Sequence, residues 1–92
     1  MNNARRKDLK KVTQQLALAS EKVRDAVAIL ENASTDIEVV AEDEQMAYDN
    51  LPENFQESER GETMMDNVDQ MTEIAEKIDE VKTELAMFVD FS

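Results

Sequence analysis

The chain has 92 residues, 35% of them charged and 41% apolar, with a formal charge of −12, which bounds it to one small acidic domain. It contains no cysteine and no histidine, which excludes disulfides, thiolate metal sites, the commonest general base and the commonest transition-metal ligand. With three Phe and one Tyr the core must rest on Leu, Ile, Val, Ala and Met. No stretch alternates apolar and polar residues as a half-buried strand does, so the expected class is all-α.

The charge is unevenly spread. Residues 1–24 carry seven Lys and Arg (Arg5, Arg6, Lys7, Lys10, Lys11, Lys22, Arg24) against Asp8 and Glu21, a net of +5. Residues 25–92 carry three basic residues (Arg60, Lys77, Lys82) against twenty acids, a net of −17. No apolar run approaches the roughly 18 residues of a membrane span. The basic N-terminal residues have no apolar run behind them, so no secretory signal is expected and a soluble, cytoplasmic protein is the expectation.

Taken in order, the first arm is expected over residues 4–48, capped by Asn2 or Asn3. From Leu9 an apolar residue recurs every seven positions (Leu9, Leu16, Val23, Leu30, Ile37), with Val12, Ala19, Ala26, Ala33 and Val40 three residues further on. Spacings of three and four set these side chains on one helical stripe. Leu18, Val27, Ile29, Val39 and Ala41 widen it, so the arm wants more than one neighbour. Asn32 to Asp36 could interrupt the helix by competing for backbone hydrogen bonds. The repeat passes through them without a phase shift, which favours one continuous helix.

The tip is expected over residues 49–62, which hold the only proline and the only glycine of the chain. Leu51, as the residue before Pro52, is pushed out of the helical region. Asn50 and Glu53 have capping-box spacing, so a helical turn should restart there. Over residues 63–90 the second arm repeats Met64, Met71, Ile78 and Leu85, with Ile74, Val81 and Phe88 as the partner column and Val68, Ala75 and Val89 beside them. Glu73 and Lys77 form a favourable i,i+4 pair, while Asp69/Glu73, Glu76/Glu80 and Glu80/Glu84 repel. Folding back lays this arm along residues 17–48 and leaves residues 1–15 as a basic overhang. The acids Asp79, Glu80, Glu84 and Asp90 then approach the basic end of the first arm. The expected architecture is a single antiparallel helical hairpin with coiled-coil-like arms. Two arms cannot cover stripes this wide, so a homodimer closing a four-helix bundle is expected.

Asp43-Glu44-Gln45 and Ala47-Tyr48-Asp49-Asn50-Leu51-Pro52-Glu53, followed by Ser58-Glu59-Arg60-Gly61-Glu62, resemble a segment of small acidic helical proteins encoded by bacteriophages, prophages and other mobile elements. The likeness covers residues 43–62, and the second arm by composition alone; the basic first 24 residues lie outside it. It implies a phage-related origin and a bacterial host cell, and it carries no activity with it.

Carboxylates are plentiful, but their patterns fit solvated faces better than sites. Glu42-Asp43-Glu44 could meet a divalent cation, yet Asp66-Asn67-Val68-Asp69 lacks the spacing and the glycine of a calcium loop. A di-iron bundle needs Glu-x-x-His. No nucleophile sits with a base and no Gly-rich loop could cradle a phosphate. Hence no catalytic residue, metal or cofactor is expected, and the protein is not expected to be an enzyme. Met64 and Met71 read as core, while Met46 and Met65 are freer to meet a partner.

The segment Arg5, Arg6, Lys7, Lys10 and Lys11 could contact an anion or phosphate, or simply balance acids on its own or a sister chain; direct nucleic-acid binding is disfavoured by the net charge. The leading reading is an interaction protein that binds a host or phage protein through Tyr48, Asn50, Leu51, Pro52, Phe55 and Arg60, residue types common in binding hot spots. The alternative use of Tyr48, Leu51 and Phe55 is to plug the end of the bundle. The alternative function is an acidic nucleic-acid mimic that inhibits a host DNA-binding or defence protein. A weaker third is a nucleotide-binding sponge.

Overall fold

The computed structural model describes residues 2–91 and contains three helices: α1 (Asn3–Asp49), α2 (Glu53–Gln56) and α3 (Glu59–Phe91). The all-α class holds, with no strand among the described residues. The 47 residues of α1 span roughly 70 Å at about 1.5 Å per residue, and the whole molecule measures 77 × 17 × 14 Å. Its radius of gyration is 21.8 Å, against roughly 12 Å for a compact chain of this length.

Asn2 caps α1, its Oδ1 accepting the Arg5 N–H at 2.8 Å. The helix runs unbroken through residues 32–36. There the Thr35 hydroxyl donates back to the Glu31 carbonyl at 3.1 Å, so its competition for the backbone is met inside the helix. At the other end the Asn50 N–H still donates to the Met46 carbonyl at 3.0 Å and the Leu51 N–H to the Tyr48 carbonyl at 3.0 Å. Asn50 therefore closes α1, with φ −84° and ψ −7°, and does not cap the next turn. Pro52 takes that place with extended backbone (φ −55°, ψ 147°) and without a side-chain cap. Its carbonyl accepts from the Phe55 and Gln56 N–H groups at 2.9 and 3.1 Å.

From Glu59 onward α3 returns beside α1 with reversed polarity. Gln56 reaches Tyr48, Ser34 meets Asp79, and Arg24 and Val27 share a recess with Ala86, Val89 and Asp90. Residues 2–18 are exposed throughout, and Ala19 is the first residue of α1 to be partly covered.

The seam differs from the sequence expectation in one column on each arm. On α1, Val23, Leu30 and Ile37 are half-buried as expected, but their companions are Ser20, Val27, Ser34, Ala41 and Tyr48. Of the companions expected from sequence, Ala19 and Ala26 are half-buried, while Val12, Ala33 and Val40 are exposed. On α3, Met64, Met71, Ile78 and Leu85 are half-buried, and their companions are Gly61, Val68, Ala75, Lys82 and Val89. Ile74, Val81 and Phe88 remain 50%, 37% and 38% exposed.

Small side chains hold the deepest positions of the seam: Ser20 and Ser34 are 3% and 6% exposed and Ala75 7%. Gly61 lies in the same column as Ala75, and a Cβ there would run into the Gln56 carbonyl oxygen and reach 2.7 Å from that of Phe55. Backbone packed this closely admits only glycine, and it seats the first turn of α3 directly against α2.

Candidate functional site

Three surfaces carry the residues singled out from sequence: the tip, the basic overhang, and the apolar columns left outside the seam.

At the tip most of the motif has structural work. Pro52 opens α2. Gln56 Nε2 donates to the Tyr48 carbonyl at 3.1 Å and lies 3.5 Å from that of Asp49, tying α2 to the end of α1. The Ser58 hydroxyl donates to the Phe55 carbonyl and lies 3.4 Å from the Gly61 N–H, so Ser58 caps α3 in the way an N-terminal serine does. Glu59 and Glu62 occupy the first turn of α3, where negative charge favours the helix dipole. Sequence reading did not single out Gln56, and no local signal marks it, because its partners are backbone carbonyls seven and eight residues away.

Of the six tip residues picked out, Tyr48 and Leu51 are half-buried and Asn50, Pro52 and Arg60 are exposed. Phe55 is 51% exposed, so it does not plug the end of the helix pair. Arg60 makes no ion pair among the described residues. Met46 is 61% exposed, whereas Met65 is half-buried in the second arm.

The overhang presents Arg5, Arg6, Lys7, Lys10 and Lys11, all exposed. Leu9, Val12 and Leu16 beside them are 53%, 47% and 44% exposed, since α3 ends before reaching them. The expected approach of C-terminal acids to basic residues forms no ion pair between the helices among the described residues. The two ion pairs present, Lys77–Glu80 at 3.5 Å and Lys82–Asp79 at 3.7 Å, both lie within α3. Lys77 thus turns to Glu80 and not to Glu73. Across the seam, Ser34 Oγ donates to Asp79 Oδ1 at 3.4 Å.

The two sides of the seam differ in chemistry. One side gathers Ser34 with Asp79, and Arg24 with Asp90 around a recess of about 180 Å³. Helical periodicity puts Ala26, Ala33 and Val40 of α1, and Ile74, Val81 and Phe88 of α3, on the opposite side of the same seam. One edge is polar and the other a continuous apolar band. The acids Glu76, Asp79, Glu80 and Glu84 form an open surface along α3 alone. No group of three or more acidic side chains converges on a metal-sized site among the described residues.

Fold and surfaces together define an elongated all-α protein with long, thinly covered helices, none of which is long and apolar enough to cross a membrane. The chain matches no family model, and comparisons with curated proteins and with solved structures give no significant match.

Proposed function

We propose that this chain is a non-enzymatic, phage-related interaction protein: a self-associating helical hairpin that binds a host or phage protein through its tip. The observation carrying this reading is Phe55, 51% exposed on a turn whose other specified residues are accounted for by the turn itself. Pro52, Gln56, Ser58 and Gly61 build the bend. Phe55 contributes only backbone groups to the bend, and its ring stays half in water. Arg60 makes no ion pair among the described residues. Aromatic residues and arginine are the types enriched at interface cores. Tyr48 and Leu51 are half-buried in the same segment.

The second reading, an acidic mimic of nucleic acid, is favoured by shape and charge. A rod 77 Å long matches about two turns of duplex at roughly 34–36 Å each, and residues 25–92 carry a net charge of −17.

One experiment separates the two. Immobilised wild-type protein and a Phe55→Ala/Arg60→Ala variant are exposed to host lysate at about 0.1 M and about 1 M salt, where screening lengths fall from roughly 10 to 3 Å. Tip binding gives a captured protein that resists salt and disappears with the double variant. Mimicry gives capture that survives the double variant and disappears with salt. Capture unaffected by either change removes both readings.

A further inference from the structure

We infer that the apolar band left outside the seam is covered by a second copy of this chain, with the two α1 helices packed antiparallel about a two-fold axis near residues 24–25. The inference deepens the self-association proposed above and rests on the hairpin reading, but not on the tip.

The surface area requires a partner of this size. The chain exposes 7286 Å², whereas a compact monomer of 10.5 kDa exposes about 5,400 Å². The excess of about 1,900 Å² falls within the roughly 1,000–2,500 Å² that each subunit of an obligate homodimer buries. An elongated molecule has extra surface in any case, so the composition of that surface decides the matter. Ile74 is 50% exposed, Val40 51% and Leu9 53%, and Ala75 is the one buried apolar side chain among the described residues.

The band itself selects a second α1. Its α1 column is Val12, Ala19, Ala26, Ala33 and Val40, of which Val12, Ala33 and Val40 are exposed and Ala19 and Ala26 half-buried at the edge of the seam. Side chains this small let two backbones come close. The Leu, Ile and Val residues of α1 run from Leu9 to Val40, and on α3 the same column turns polar toward the tip at Asn67 and Arg60. A two-fold antiparallel pairing that superposes the two apolar stretches sets residue i of one copy opposite residue 49 − i of the other. Leu9 then faces Val40.

Charge chooses the same register independently. The basic overhang Arg5–Lys11 falls opposite residues 38–44, which include Glu38, Glu42, Asp43 and Glu44. All four are acidic and no basic residue lies between Asp25 and Asp49. Parallel pairing would set Arg5, Arg6 and Lys7 beside their own copies. The helix dipole agrees: α1 has no acid in its first turn and no base in its last, an arrangement unfavourable for a lone helix and relieved when an oppositely directed helix brings the missing charges alongside.

The test uses the full chain, which has no native cysteine. A spin label on Lys10→Cys, an exposed position off the band, reports the distance between copies. Antiparallel pairing in this register gives about 45 Å, from 29 residues of helical rise; parallel pairing gives less than about 20 Å, set by the spacing of helix axes. Sedimentation of the unlabelled protein at micromolar concentration is expected to show a dimer. Ala33→Glu is expected to raise the dissociation constant at least tenfold, while Glu31→Ala, on the other edge, leaves it unchanged.

A monomer, a short Lys10 distance, or an unaltered dimer in Ala33→Glu each overturns the inference. An intramolecular pair at Arg24→Cys and Asp90→Cys, diluted into unlabelled protein, checks the hairpin separately. If that pair is close while the protein is monomeric, the inference alone fails. If that pair is far apart, the hairpin itself fails and the inference with it.

Discussion

Gly61 is the residue on which the bend turns. A glycine in the first turns of a helix ordinarily weakens it, and alanine there would ordinarily strengthen it by roughly 1 kcal/mol. Here the Cβ has no room beside the Gln56 and Phe55 carbonyls, and both obstacles are backbone. Gly61→Ala is therefore expected to destabilise by about 1–3 kcal/mol, the usual cost of forced overpacking, read as a fall in the urea midpoint. Phe55→Ala should behave oppositely. Its ring is already half in water, so the midpoint should move by less than about 1 kcal/mol, while partner capture is lost. A large loss of stability in Phe55→Ala would make it a structural residue and remove the argument for the tip.

At the scale of the helix, the seam is governed by small residues as much as by greasy ones. Ser34 is 6% exposed, and its hydroxyl donates at 3.4 Å to an Asp79 side chain that is itself 56% exposed. A long bond to a partner in contact with water contributes little net stability. Ser34→Ala is expected to stay within about 0.5 kcal/mol of wild type, helped by the better helix propensity of alanine. Ser34→Leu should cost about 1–3 kcal/mol, because it wedges apart two helices whose approach depends on Ser20, Ser34 and Ala75. Thermal melts of the two variants distinguish a packing role from a hydrogen-bonding one. If Ser34→Leu is the more stable, the seam is not close-packed at this column.

For the whole molecule, the balance is one of thin coverage. Among the described residues one apolar side chain, Ala75, is buried and thirteen large ones are exposed, so folding and association are expected to be linked. Where association stabilises only the folded state, the melting temperature rises with protein concentration. A tenfold increase is expected to raise it by about 3–6 °C for a dimer of this size, measurable by scanning calorimetry across a dilution series. A melting temperature independent of concentration would show that the hairpin is stable alone and that its apolar band serves something else.

The sequence by itself determined that the chain is helical and that apolar residues recur at helical spacing along both long helices. It favoured, without deciding, an unbroken α1 through Asn32 to Asp36, and it marked the one proline and glycine as the interruption between the long helices. Helical periodicity and backbone restriction are local, and each of these follows from residues within a few positions of one another. The tertiary structure decided which two columns α3 would cover. Hydropathy favoured Ala33 with Val40 and Ile74 with Val81, but the small residues Ser20, Ser34 and Ala75 are the most covered, and the helices meet along the less apolar side. The same long-range geometry gave Gln56 its partners and left Phe55 in water. Neither could be read from spacing, because both depend on where the end of one helix lies against the start of the other.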